Sequence, residues 1–224
     1  MQTPKLVSEL TRTRLIDAAG EMFAEFGFHH ATVRQICQRA DANVAAVNYH
    51  FRDKTGLYTE VVRQSMRAAR LDTVRAAFDQ NLPPEAILRA VIKARLESLR
   101  SLDLGDWHFR IFAHELTKPS PAMNVVVYEA IRPLYSRMCQ LIGNMLGRPA
   151  EHEQTRLCAH SIIGQILFYA FTGPVLSRLA PEIKMSAERI DLLADHITQF
   201  SLAYLRETDV KRRARKKKVH GKKR

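Results

Sequence analysis

Residues 31–58 read Ala31-Thr-Val-Arg-Gln-Ile-Cys-Gln-Arg-Ala-Asp-Ala-Asn-Val-Ala-Ala-Val-Asn-Tyr-His-Phe-Arg-Asp-Lys-Thr-Gly-Leu-Tyr58. Thr32 followed by Gln35 has the spacing of a capping box, in which the hydroxyl takes one free amide and the carboxamide reaches back to another. It predicts a short helix ending near Ala40, with Val33, Ile36, Cys37 and Ala40 as its inward stripe. Asp41-Ala42-Asn43 breaks that helix, because Asp tolerates left-handed backbone and Asn is a good N-cap for another helix. That second short helix is expected from Val44 to His50. Asp53 then reads as the N-cap of a long helix running through Leu57, Tyr58, Val61 and Val62 to about Phe78.

Upstream, Leu15, Ala19, Met22, Phe23 and Phe26 recur at helical spacing between Thr11 and Phe26, and Gly27 sits where a helix ends. Two short helices around a tight turn, braced by a longer one on each side, form a helix-turn-helix. Downstream the pattern stays helical. Pro84 suits the first turn of a segment to about Ser101, Asp106 to Leu116 is a short apolar segment, and Ser120-Pro121 reads as an N-cap with Pro at the first position. Two long helices are expected over about Glu151–Leu179 and Ser186–Arg206. The fold class is all-α: a three-helix N-terminal helix-turn-helix domain followed by a larger helical bundle.

The chain has 224 residues, 46% of them hydrophobic and 26% charged, which suits a sizeable buried core. The formal charge of +12 is not spread evenly: residues 1–58 carry 7 Lys and Arg against 6 Asp and Glu, whereas residues 211–224 hold 10 basic groups and no acid. The sequence pI of about 10.0 therefore reflects the tail and says little about the folded part. A segment so basic and so poor in apolar residues is expected to be disordered when free.

Cys37, Cys139 and Cys158 are far apart and form no C-x-x-C pair, so neither a disulfide framework nor a zinc cluster is expected. The first ten residues lack an apolar core of signal-peptide length. Leu157 to Ser177 is 21 residues without a charged side chain, yet His160, Ser161, Gln165, Thr172 and Pro174 within it favour a helix buried in a bundle over a membrane span. No H-E-x-x-H, P-loop, G-x-S-x-G or dinucleotide fingerprint is present, and an enzyme, a metal site and a cofactor are not expected.

A helix entering a major groove presents small or hydrogen-bonding side chains outward and apolar ones inward. In residues 43–51, Val47 and Phe51 at i and i+4 face the domain core, leaving Asn43, Val44, Ala45, Asn48 and Tyr49 outside. Asn48 suits bidentate bonding to adenine N6 and N7, and Val44 or Ala45 suits a thymine methyl. Arg34, Arg39, Arg52 and Lys54 supply local positive charge, and His50 a further hydrogen bond.

This stretch, particularly Asn48-Tyr-His-Phe-x-x-Lys-x-x-Leu-Tyr58, resembles the DNA-binding domain of TetR-family repressors over about Thr11 to Val62. Phe109-Arg-Ile-Phe-Ala-His-Glu-Leu-Thr-Lys-Pro-Ser-Pro-Ala122 and Ser161-Ile-Ile-Gly-Gln-Ile-Leu-Phe-Tyr169 resemble the C-terminal domain of the CecR-type subgroup. The chain departs from the general pattern at Asp41, where the turn more often has Gly, and at Val44 and Ala46, where Lys or a small hydroxyl residue is common. The resemblance implies that Thr32, Tyr49 and Lys54 hold backbone phosphates. It also implies a cytoplasmic, nucleoid-associated homodimer on a palindromic double-stranded operator, released by a small-molecule inducer of unknown identity. The expected division is a DNA-binding domain over 1–58, a ligand-binding and dimerisation domain over 59–206 and a disordered basic tail over 207–224.

Candidate effector contacts are the aromatic and polar residues set in apolar helices: Trp107, Arg110, His114, Glu115, Tyr128, His160, Gln165 and Tyr169. For the dimer seam, Ile190, Leu193, Ile197, Phe200 and Tyr204 recur at spacings of three and four, facing Ser161, Gly164 and Phe168 on the uncharged helix. The expected function is a sequence-specific transcriptional regulator working as a ligand-released dimeric repressor. The alternative, favoured by the tail, is a non-specific nucleoid-associated DNA-binding protein.

Overall fold

The computed structural model describes residues 4–68, 70–101, 106–183 and 185–221, and these are helical with no strand among them. In chain order the helices are α1 (Pro4–His30), α2 (Val33–Arg39), α3 (Val44–Phe51), α4 (Lys54–Ala68), α5 (Leu71–Phe78), α6 (Pro84–Arg100) and α7 (Trp107–Thr117). Then come α8 (Met123–Val126), a π-helical turn (Val127–Ile131), α9 (Arg132–Leu146), α10 (Glu153–Phe171), α11 (Gly173–Leu179), a 3-10 turn (Ala187–Arg189) and α12 (Ile190–Gly221). The chain divides into two compact units, one of residues 1–70 with 102–131, the other of residues 71–101 with 132–224.

The first unit is built around Phe23, which is fully buried and meets Tyr58 edge-on at 4.7 Å. Leu15, Ile16 and Ala19 of α1, Ile36 and Cys37 of α2, Val47 and Phe51 of α3 and Leu57, Val61 and Val62 of α4 complete this core. Removing a side chain such as Phe23 from water is worth about 1.5–3 kcal/mol. Phe26, expected inside, is exposed: it closes the last regular turn before Gly27, whose φ of 76° breaks α1 out of helical geometry.

No local signal announces that α7 completes this unit by lying on α1 and α4. Gly20 makes the approach possible, since a Cβ there would sit 2.5 Å from Trp107 Cδ2. The seat is fastened by Ser65 Oγ donating to the His108 carbonyl at 2.7 Å and Arg110 Nη2 donating to the Ala24 carbonyl at 2.8 Å.

In the second unit α6 packs along α5 and α12, with α9 and α10 closing the bundle. Leu88, Val91, Ile92, Leu96 and Leu99 of α6, Met138 and Ile142 of α9, Ile162 and Ile166 of α10, and Ile190, Leu193, Ile197 and Leu205 of α12 are its interior. Ion pairs line the α6–α12 seam: Arg89 Nε to Asp195 at 2.5 Å, Lys93 to Asp191 at 2.8 Å and Arg206 to Glu85 at 2.9 Å.

Four boundaries differ from expectation. The helix starting at Lys54 stops at Ala68 rather than Phe78, with Arg70 in left-handed backbone at φ 45° before α5 begins. No Gly or Pro marks that break, so packing imposes it. The helix expected over Glu151–Leu179 bends by 77° between α10 and α11, because Pro174 has no amide to continue the ladder. No single helix among the described residues is long and apolar enough to cross a membrane. Ser120 does not cap a helix starting at Pro121; its hydroxyl accepts the Ala122 amide in a turn, and α8 starts at Met123. Finally, α12 runs on to Gly221 where a disordered tail was expected from residue 207. Lys, Arg and Ala are good helix formers, and no Gly or Pro intervenes before Gly221. The side chains of residues 211–224 lie outside the described residues, as does the whole of 222–224.

Candidate nucleic-acid interface

Each helix of the candidate reading motif starts on a side-chain cap. Thr32 Oγ1 accepts the Gln35 amide at 3.3 Å while Gln35 Oε1 accepts the Thr32 amide at 3.1 Å, so both halves of the capping box form. The turn follows as the residue types require: Asp41 has φ 48°, the Ala42 amide donates back to the Cys37 carbonyl at 2.9 Å, and Asn43 Oδ1 accepts the Ala46 amide at 2.8 Å. The Asn43 oxygen is thereby committed to the cap, leaving its NH2 group to donate outward.

On α3, Val47 and Phe51 turn inward and are buried, while Val44, Ala45, Asn48 and Tyr49 share the outer face. Tyr49 is 79% exposed, a large aromatic amphipathic ring held in solvent with no role in the core. His50 is half-buried, its ring packed edge-on to Tyr49 at 4.9 Å. This face is a row of small, amide and phenol groups with no acid among them.

The N-terminus of α4 abuts the motif. Asp53 Oδ1 accepts the Gly56 amide at 2.8 Å, and Gly56 comes so close to the end of α3 that a Cβ would lie 1.9 Å from the Phe51 carbonyl oxygen. Only Gly fits there, and sequence reasoning missed it; an isolated Gly in the first turn of a long helix was the available signal. Lys54 sits over the Phe28 ring at 4.8 Å and its Nζ donates to the His29 carbonyl at 3.4 Å, which holds the ammonium beside the 29–32 segment. Burial pushes the Lys54 amine below its ordinary pKa.

The local charge is sorted by pairing. Arg39 Nε donates to Glu21 at 2.6 Å and Arg14 faces Asp41 at 3.6 Å, so Arg39 is tied to α1 rather than offered outward. Arg34 is exposed at the first turn of α2. With Lys54 it gives the face a positive rim.

The candidate effector contacts divide between the units. Trp107, Arg110, His114, Glu115 and Tyr128 belong to the first, where Trp107 packs on Gly20 and Arg110 holds the Ala24 carbonyl. Glu115, 2% exposed, accepts from the Tyr58 hydroxyl at 2.6 Å and the Ser120 amide at 3.2 Å. Burial first, and then the bond to Glu115, push the Tyr58 phenol well above its ordinary pKa. Trp107, Arg110 and Glu115 thus seat α7, a correction to their reading as ligand contacts. Tyr128 is exposed on the π-helical turn. In the second unit His160 bonds Tyr135 at 3.1 Å on an exposed face, Gln165 Nε2 donates to the Ser161 carbonyl at 3.3 Å, and Tyr169 packs edge-on to Phe168.

The candidate seam also needs correction. Ile190, Leu193 and Ile197 are buried in their own unit. Along α12 the buried face rotates toward Ser201, Leu202 and Leu205, which carries Phe200 (65% exposed) and Tyr204 (51% exposed) outward beside Leu192 and His196. On α10, Ser161, Gly164 and Phe168 are exposed together with Leu157, which the sequence reading did not single out. Gln154 Nε2 donates to the Tyr204 hydroxyl at 2.7 Å, so the outer faces of α10 and α12 adjoin.

A capped helix, a three-residue turn and a second helix with polar groups outward and apolar ones inward define a helix-turn-helix DNA-binding protein. The chain matches the family of bacterial regulatory proteins, tetR family, over residues 15–61, and the C-terminal domain of the HTH-type transcriptional dual regulator CecR over residues 84–205. It belongs to the TetR family of transcriptional regulators, with a CecR-type C-terminal domain, and is not an enzyme. It is 29% identical over 200 residues to the HTH-type transcriptional dual regulator CecR of Shigella flexneri, covering 85% of this chain and 89% of the relative. It is 28% identical over 193 residues to the HTH-type transcriptional regulator BetI of Burkholderia cenocepacia, covering 85% of this chain and 97% of that one. Its fold is similar to that of a TetR-like transcriptional regulator from Rhodococcus sp. RHA1, with a TM-score of 0.57 and 19% identity over 91% of this chain and 98% of the other.

Proposed function

We propose that this regulator is a cytoplasmic homodimeric repressor that reads a palindromic operator with α3 and leaves it when a small molecule binds the larger helical domain. The observation that carries the reading is the division of α3 into a buried Val47–Phe51 side and an exposed Val44–Ala45–Asn48–Tyr49 side. In this reading Asn48 bonds adenine, Val44 and Ala45 touch thymine methyl groups, and Thr32, Tyr49 and Lys54, aided by Arg34 and His50, grip phosphates. Asn43 is first a cap, with its NH2 group as an added donor.

One short helix reads only a few base pairs, so a two-fold pair is needed for a unique site. The apolar outer faces of α10 and α12, with Leu157, Phe168, Phe200 and Tyr204, support the pairing surface. An effector that favours the unbound conformation lowers operator affinity, and the operator lowers effector affinity by the same factor. The test is to select bound fragments from the source genome, confirm one preferred palindrome in the presence of excess bulk DNA, and screen compounds for its release. A retained site with compound-driven release supports the repressor; loss of preference under bulk competitor supports a packaging protein instead.

A further inference from the structure

Within the second unit, Arg95 breaks the pattern of its helix. Its position falls among Val91, Ile92, Leu96 and Leu99 on the face of α6 that turns into the bundle, and the side chain is almost wholly enclosed by protein. The other basic residues on this part of α6 have carboxylates: Arg89 holds Asp195 and Asp191, and Lys93 holds Asp191. Arg95 has none among the described residues. Its hydrogen bond is from Nη1 to Ser98 Oγ at 3.2 Å, a neutral hydroxyl that leaves most of the five guanidinium donors unused. The residue nevertheless retains some accessible surface, so the enclosed guanidinium adjoins space that a small molecule or water can enter.

A buried cation without a counter-charge is unfavourable unless something supplies the missing charge and acceptors. Burial alone pulls the guanidinium pKa down to about 10, with no acidic neighbour raising it, so the group remains a cation at neutral pH. Guanidinium is planar and pairs in a fork with carboxylate or phosphate, and the flanking aliphatic side chains suit an apolar body behind such a head group.

We infer that Arg95 is the anchor of an effector site in the helical bundle, and that the effector is an amphipathic anion whose carboxylate or phosphate is held by the guanidinium while its apolar part lies among the α6 aliphatic side chains. This deepens the ligand-release reading and rests on it for the consequence, though not for the binding itself. Arg95 was not among the residues the sequence singled out, because an Arg on a helix is ordinarily a solvated one.

The test is titration calorimetry on the full-length protein with decanoate, decyl phosphate and decyltrimethylammonium as probes, alongside the variants Arg95→Gln, Arg95→Lys and Arg95→Met. The wild type is expected to bind decanoate or decyl phosphate and to reject the cation; which anion binds more tightly identifies the head group. Arg95→Gln should weaken the anion at least tenfold, and Arg95→Lys, which keeps charge but loses the fork, should fall between. Without ligand, Arg95→Met should melt no lower than wild type, since no ion pair is broken; a marked fall would make Arg95 a structural residue and overturn the assignment. Failure of both anions to bind the wild type, or equal anion affinity in Arg95→Gln, also overturns it. Operator release by some other compound, undiminished in Arg95→Gln, would keep ligand release and remove Arg95 from it. Anion binding that depends on Arg95 but leaves the operator bound would keep the site and overturn the release.

Discussion

Tyr58 donates its phenolic hydrogen to Glu115 across 2.6 Å, joining the helix that follows α3 to α7 through a buried bond. The carboxylate is closed off from solvent, and the bond is accompanied by the Ser120 amide at 3.2 Å. The first unit is therefore more than a three-helix head: α7 is fastened to it by polar contacts made in an apolar setting, where an unmade bond is costly.

Replacing Tyr58 with Phe removes that donor while the charge stays buried. Urea denaturation should show a loss of about 1–3 kcal/mol. The double variant Tyr58→Phe with Glu115→Gln should lose less than the two single changes added together, because the uncompensated charge is gone; strict additivity would mean the two residues are not coupled.

Gly56 faces the Phe51 carbonyl at a distance no Cβ tolerates. Gly56→Ala should force α4 away from α3, destabilise by about 1–3 kcal/mol as overpacking does, and weaken DNA binding by displacing Lys54. An Ala variant with wild-type melting and affinity would disprove this close approach.

On the outer face of the second unit, Phe200→Glu or Phe168→Glu should give folded monomers at micromolar concentration, read by sedimentation. Leu193→Glu should instead unfold the bundle, because Leu193 is interior. Dimers that persist with charge at both Phe positions would move the interface elsewhere.

Acid should loosen the second unit. The Arg137 guanidinium holds the Asp79 carboxyl below its ordinary range, Lys93 and Arg89 do so for Asp191, and Arg89 for Asp195. Carboxylates depressed in the folded state contribute stability that is present above the ordinary carboxylate range and lost as pH falls through their lowered values. Arg89→Met should flatten that acid limb in a melting profile against pH, and an unchanged limb would exclude these pairs as its cause.

Much of the reading motif was legible because its signals are local. Thr32 with Gln35, Asp41 in the turn and Asn43 as a cap each act within four residues, and each appears as the residue types demand. The misses were long-range. Arg70 takes left-handed backbone among good helix formers, Trp107 reaches Gly20 from a distant segment, and the buried side of α12 changes along its length. On that helix Ile197 and Phe200 look equivalent by spacing, yet one is sealed in the core and the other is in solvent, since the neighbouring helices decide which apolar side is covered.

The most direct measurement is selection of preferred sites from random duplexes by the wild type, Asn48→Ala and Lys54→Ala, each repeated across salt concentration. Asn48→Ala should relax the preference at one base pair in each half-site at a cost of about 1–3 kcal/mol. Lys54→Ala should keep the site, weaken all sequences alike and reduce the salt slope by about 1 for each site it contacts. Unaltered preference in the first and unaltered affinity in the second would contradict the placement of α3 in the groove.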